Sequence, residues 1–133
     1  MSRFPRVAGG VAVLAVISAL VVPAGASAAT GSLSTSWGYG KLTAGLSGPD
    51  ISIKASVTDK YSDGSCVYVE AKIVRSYATD PNKKVATACG SGVTKSGSWN
   101  YTSWYGSPQY VELKLCKDQF GIDPCVKKNV SFN

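Results

Sequence analysis

Four cysteines, Cys66, Cys89, Cys116 and Cys125, are the residues whose side chains most directly indicate a chemistry. An even number of cysteines in an exported protein usually forms disulfides, whereas zinc sites favour closely spaced cysteines or added histidines. The chain has no histidine and no Cys-x-x-Cys motif, so neither a zinc site nor a redox-active pair is indicated. We predict two structural disulfides and no metal site.

The pairing of these cysteines can be predicted from the alternation of side chains along β-strands. Cys66, Cys116 and Cys125 each alternate in phase with charged neighbours, which places them on solvent-facing sides. Of three connectivities, we favour the sequential one, Cys66–Cys89 and Cys116–Cys125. Lys128 conflicts with this alternation, because it shares one side of the last strand with residues that are expected to face inward. Either a β-bulge resets the last strand, or that strand lies at a sheet edge and its lysine reaches solvent.

An aromatic run over residues 99–105 is the main candidate for a binding surface. It contains Trp99, Tyr101, Trp104 and Tyr105 beside small polar residues. Exposed rings of this kind could stack on sugars or on a partner protein. Aromatic residues in β-sandwiches also commonly fill the core. Exposure of the rings decides between these two interpretations.

No set of residues indicates catalysis. Histidine, the commonest general base, is absent, and the serine-nucleophile motifs Ser-x-x-Lys and Gly-x-Ser-x-Gly do not occur. Most carboxylates fall in turns, where aspartate caps the backbone. An enzyme, or a calcium site, would need turn carboxylates such as Asp59 with Asp63, or Asp118 with Asp123, to converge. We predict a non-enzymatic protein with no catalytic residues and no cofactor.

These residues are predicted to lie on β-strands and in the turns between them. Apolar and polar residues alternate over 51–58, 67–73 and 111–115, and turn-forming residues separate these runs. About seven short strands in about 100 residues predict an all-β, antiparallel two-sheet sandwich of immunoglobulin-like type. A small closed β-barrel is the alternative.

The start of the chain indicates export. Two arginines precede an apolar run, and small residues follow it up to Ala28. We predict a secretory signal peptide at residues 1–28, cleaved after Ala28 or alternatively after Ala29. The remainder, residues 29–133, is then a single extracellular domain without a membrane anchor.

The charge of the chain is basic but dispersed. The formal net charge is +6, and loss of the two leader arginines leaves +4. Nucleic-acid binders concentrate basic residues on one face, a pattern that is not seen here. We therefore expect the partner to be an extracellular protein, a glycan or a cell-surface polymer, and not a nucleic acid.

The end of the chain carries a resemblance to known secreted proteins. The segments Leu-Cys-Lys-Asp at residues 115–118 and Asp-Pro-Cys at 123–125, with an alanine-rich leader, resemble uncharacterised small secreted proteins of actinobacteria. The strand layout, the sequential disulfides and the final Val-Ser-Phe-Asn are similar to the neocarzinostatin family of chromophore carriers. Cysteine spacings differ, and that family tends to be acidic. The second resemblance implies carriage of a small ligand.

Taken together, these features predict a secreted, non-enzymatic binding or interaction module stabilised by disulfides. One alternative is a carrier of an apolar small molecule, which would require a cavity between the sheets. Another is an inhibitor of an extracellular enzyme, although the reactive motifs of the subtilisin-inhibitor and tendamistat-like families are absent from the sequence.

Overall fold

A computed structural model describes residues 27–61 and 63–132. The predicted signal peptide lies outside these residues, apart from Ser27 and Ala28. Within these residues, the structure contains no helix whose length and hydrophobicity would suit a transmembrane span. The described chain forms eight strands: β1 (Ser27–Ser34), β2 (Gly38–Ser47), β3 (Asp50–Asp59), β4 (Cys66–Arg75), β5 (Asn82–Cys89), β6 (Thr94–Thr102), β7 (Pro108–Asp118) and β8 (Cys125–Ser131).

The strands form two antiparallel sheets of four. Sheet A has the order β1-β2-β3-β6, and sheet B has the order β5-β4-β7-β8. The chain crosses between the sheets after β3, β5 and β6. The neighbour relations β3–β6 and β4–β7–β8 are those of strands B–E and C–F–G in an immunoglobulin sandwich. The predicted sandwich is therefore confirmed, with eight strands, and the barrel alternative is wrong because the strands divide into two separate sheets.

Alternation along the strands produces one core between the sheets. Inward positions of β3 are buried throughout, and outward positions are exposed or half-buried. Burial of each large aliphatic side chain contributes about 1.5–3 kcal/mol to stability. The largest fully buried aliphatic side chains include Leu42, Ile51, Ile53, Ile73, Leu113 and Leu115.

Two glycines mark places where the sheets approach closely. A Cβ built on Gly40 would lie 2.8 Å from Cγ2 of Val69, and one on Gly97 would lie 1.9 Å from the carbonyl oxygen of Val85. Val85 lies where the β4–β5 register shifts, so β5 bulges at this point. Backbone of β5 therefore occupies the space that a side chain at position 97 of β6 would need.

Both disulfides lie on the outer face of sheet B and have the predicted sequential pairing. Cys66–Cys89 and Cys116–Cys125 each join residues directly opposite in the register, with Cα atoms 4.3 Å and 4.1 Å apart. One detail of the prediction needs correction: Cys116 is on the outer side of its strand but has no exposed surface. It is shielded because Tyr68 and Cys125 flank it on the same face.

The conflict raised by Lys128 is resolved by the position of β8 in the sheet. The β7–β8 register runs from Tyr110 to Cys116 without a shift, so no bulge occurs there. β8 is an edge strand of sheet B, and Lys128 is exposed despite sharing the phase of buried Val130. The second explanation, an edge strand whose lysine reaches solvent, is confirmed.

Candidate functional site

The four aromatic residues of the 99–105 run divide into two pairs. Trp99 and Tyr101 are half-buried on the inward side of β6, where they pack against the core with their ring centroids 5.7 Å apart. β6 ends at Thr102, so the alternation stops there. Trp104 and Tyr105 lie in the loop that follows and are 77% and 79% exposed. Core packing therefore describes the first pair, and surface exposure describes the second.

Trp104 borders a groove at one end of the sandwich. The pairs Asp50–Thr102 and Arg75–Pro108 in the strand register bring the β2–β3 turn, the β4–β5 loop and the β6–β7 loop to this end. The groove, here called the aromatic groove, has a volume of about 520 Å³. Its lining consists of Gly48, Pro49, Ser76, Tyr77, Ser103, Trp104, Gly106, Ser107 and Pro108.

Tyr77 is a member of this site that the sequence analysis did not identify. Its side chain is fully exposed, and its φ of 59° lies in the left-handed region that residues other than glycine seldom adopt. A lone tyrosine in a short loop carries no sequence signal for such a role. Only the fold brings it beside Trp104, which is 27 positions later in the chain.

Hydrogen bonds join the β4–β5 and β6–β7 loops of the aromatic groove. The backbone N–H of Ser76 donates to the carbonyl of Ser107, and the N–H of Ser107 donates to Oγ of Ser76, both at 3.1 Å. The buried Ser103 hydroxyl donates to the carbonyl of Gly106 at 2.7 Å. Gly106 has a φ of 77°, and a Cβ there would lie 2.1 Å from the carbonyl oxygen of Ser76. The loops are thus in backbone contact.

Arg75 connects the two loops of the aromatic groove through hydrogen bonds. Its Nε donates to the carbonyl of Thr79 in one loop, and its Nη1 donates to the carbonyl of Tyr105 in the other, each at 3.0 Å. The guanidinium also lies 5.5 Å from the ring centroid of Tyr101. A planar guanidinium can make several directed hydrogen bonds at once while stacking on an aromatic ring. The exposed rings are therefore carried on loops that are already ordered.

The chemistry of the aromatic groove is that of an uncharged polar surface. Its lining residues are glycine, proline, serine, tyrosine and tryptophan, none of which is charged at neutral pH. The rings can stack on a flat apolar ligand face, and the serine hydroxyls can both donate and accept hydrogen bonds. This combination suits a ligand that has apolar faces and hydroxyl groups but no net charge.

The turn carboxylates that could have formed another kind of site have separate partners. Asp59 is buried and accepts hydrogen bonds from the N–H groups of Tyr61 and Gly90, at 3.0 Å and 2.9 Å. Asp63 forms an ion pair with Lys117 at 2.5 Å. Within the described ranges, no group of three or more histidine, cysteine or acidic residues is placed to hold a metal ion. Asp59 and Asp63 therefore serve to fix loops.

Tyr68 and Asp123 form a partly buried hydrogen bond on the outer face of sheet B. The Tyr68 hydroxyl donates to Oδ2 of Asp123 at 2.7 Å. Burial, and then this bond to a carboxylate, raises the pKa of Tyr68 to about 12. The same hydroxyl, together with the backbone N–H of Gln119, lowers the pKa of Asp123 below its ordinary value. The pair therefore holds a neutral tyrosine against an ionised aspartate.

Raising the pH from 10 to 12 is expected to destabilise the fold through Tyr68. The ordinary tyrosine pKa is 10.0, and that of folded Tyr68 is about 12, so the folded state retains its proton more strongly. The resulting stabilisation is fully present below pH 10 and is lost as the pH rises through the folded pKa. Urea unfolding of the native protein and of Tyr68→Phe across this range measures the effect. An identical pH dependence in both proteins would contradict it.

Comparison with known proteins finds no match for this chain among protein-family models, curated proteins or solved structures. The resemblance to secreted chromophore carriers therefore stays a prediction, and inference about function depends on the surfaces described above.

Proposed function

We propose that this protein is a secreted, non-enzymatic binding module whose aromatic groove binds a neutral glycan. The observation that carries the proposal is the exposed ring of Trp104 beside exposed Tyr77, on loops locked by hydrogen bonds. Large exposed aromatic side chains are characteristic anchors of binding sites. Because the loops are already ordered, little conformational freedom is lost when a ligand binds.

The absence of charge in the groove lining favours a neutral glycan over an anionic polymer. Sugar rings present apolar C–H faces that can stack on tryptophan and tyrosine, and hydroxyl groups that can bond to Ser76 and Ser107. An anionic polymer would be expected to bind where lysine side chains gather. The nine lining residues include no lysine or arginine.

The carrier alternative has less support from the packing. It requires a cavity between the sheets. At Gly40, an inward position of β2, the sheets are so close that a Cβ would not fit against Val69. The aromatic groove and a second groove, which lies over Lys41 and Lys54 on the outside of sheet A, are both at the surface. The surface is therefore the better candidate for ligand binding.

Secretion is part of the proposal. Two disulfides are compatible with an extracellular location, and the leader at residues 1–28 has the features of a signal peptide. Cleavage after Ala28 would remove two of the eight residues of β1 and keep the six that begin at Ala29.

Substituting Trp104 by alanine is expected to weaken glycan binding about ten-fold or more, as for a stacked aromatic anchor. The oxidised protein is first applied to an array of neutral oligosaccharides and to insoluble neutral polysaccharides. Affinity for the bound sugar is then measured by calorimetry for Trp104→Ala and Tyr77→Ala. Tyr61→Ala is the matched control, because Tyr61 is 53% exposed at the opposite end of the sandwich. Failure to bind any neutral glycan, or unchanged affinity in Trp104→Ala, would overturn the proposal.

A further inference from the structure

The loop between β7 and β8 displays two large apolar side chains at the end of the sandwich opposite the aromatic groove. Phe120 is 106% exposed and Ile122 is 90% exposed. They are separated only by Gly121. Single apolar residues are scattered over most protein surfaces, whereas neighbouring exposed apolar side chains that form a patch mark an interaction surface. This pair has no part in the glycan site proposed above.

The loop that carries them is fixed on several sides. The Cys116–Cys125 disulfide closes its base, and the N–H of Lys117 donates to the carbonyl of Pro124 at 3.0 Å. Asp123 connects the loop to the sheet, because Oδ1 accepts from the N–H of Gln119 at 3.1 Å while Oδ2 accepts from the hydroxyl of buried Tyr68. The apolar pair is thus presented on a preorganised support, which lowers the entropic cost of binding.

The charges around the loop distinguish between classes of partner. Lys117 is neutralised by Asp63. Asp118 is exposed and has no ion-pair partner within residues 27–61 and 63–132. The charge of Asp123 is partly offset by Lys84, whose ammonium lies 4.0 Å from the ring centroid of Tyr68 and helps to lower the pKa of Asp123. The uncompensated charge beside the apolar pair is therefore that of Asp118, which opposes approach to an anionic membrane and favours a basic partner surface.

The backbone of the loop also bears on the kind of partner. Gly121 has a φ of 96°, so the chain turns between Phe120 and Ile122. An extended peptide of the kind that adds as a strand to a partner does not turn in this way. Two almost fully exposed side chains on either side of a turn instead offer a convex surface that matches a concave pocket.

We propose that Phe120 and Ile122 form a protein-docking knob that inserts into an apolar pocket with a basic rim on a partner protein. Exposed aromatic residues that become buried at an interface centre commonly dominate its binding energy. The complementary charge on the rim would contribute mainly to the rate and the salt dependence of association.

The test begins with the secreted, oxidised protein immobilised and exposed to the extracellular and cell-surface fraction of its source culture. A protein retained by the native form is purified, and its affinity is measured by surface plasmon resonance at low and high salt. Phe120→Ser is expected to weaken binding at least ten-fold, and Asp118→Lys to slow association at low salt. Trp104→Ala should leave this affinity unchanged, which separates the docking knob from the aromatic groove. Circular dichroism establishes that each variant is folded.

Three results would overturn the proposal. The first is that the native form retains no protein, or that every retained protein binds Phe120→Ser as well as it binds the native form. The second is a dimer in sedimentation experiments that Phe120→Ser dissociates, since the occupant would then be a second copy. The third is Phe120-dependent binding to phosphatidylglycerol vesicles with no protein partner, since the loop would then be a membrane anchor.

Discussion

Replacing Cys66 and Cys89 together by alanine is expected to lower the free energy of unfolding by about 3.5 kcal/mol. This disulfide spans a sequence separation of 23 and joins β4 to β5, an edge strand of sheet B. In the chain-entropy model, its loss frees a long loop in the unfolded state, while the native strands keep their hydrogen bonds. For a small domain of ordinary stability, this is a large share of the total.

Urea denaturation followed by tryptophan fluorescence measures this loss. Thr87→Ala is the matched control, because Thr87 is exposed in β5 two positions before Cys89, and it should change stability by no more than about 0.5 kcal/mol. A loss below about 1 kcal/mol for the double alanine variant would contradict the chain-entropy explanation.

The Gly97→Ala substitution is expected to destabilise the protein by about 3 kcal/mol or more. The added Cβ would lie 1.9 Å from the carbonyl oxygen of Val85, which belongs to the backbone of the opposite sheet. A backbone atom cannot rotate away as a side chain can, so β5 and β6 would have to separate. The contacts that close this side of the sandwich would be weakened as a result.

Gly45→Ala provides the control for this effect. Gly45 is also in sheet A, but the nearest atoms to a Cβ there lie at 3.8 Å and 3.9 Å, an ordinary contact distance. Its substitution should be neutral, or stabilising by a few tenths of a kcal/mol, because alanine restricts the unfolded chain. Equal midpoints of urea unfolding for Gly97→Ala and Gly45→Ala would show that the close approach has no energetic consequence.

Local patterns in the sequence were sufficient to predict much of the fold. Alternation with a period of two identified β3, β4 and β7, because one face of each strand must pack against the other sheet. The same alternation, applied to Cys66 and Cys116, led to the correct disulfide pairing. It could not reveal that Cys116 is buried, because shielding by Tyr68 depends on which strand lies beside β7.

The surfaces proposed for binding were less predictable. The 99–105 run was recognised as aromatic, but its division into core and surface depends on β6 ending at Thr102. Tyr77 lies beside Trp104 only because the β4–β5 and β6–β7 loops line the same groove. Nothing in the sequence distinguishes Phe120 and Ile122 from apolar residues that are buried in a core. Their exposure becomes apparent only in the folded chain, where Asp123 holds the loop and neither side chain is buried.

The class of structure, an all-β sandwich with two sequential disulfides, could be predicted from the amino-acid sequence alone. These depend on the period of the hydrophobic pattern and on the number and phase of the cysteines, which are local properties of the chain. The three-dimensional structure was needed to show which aromatic rings face solvent, why Lys128 is tolerated and where β5 contacts Gly97. Those properties depend on the order of the strands and on which loops meet at each end of the sandwich, because these bring together residues that lie far apart in the sequence.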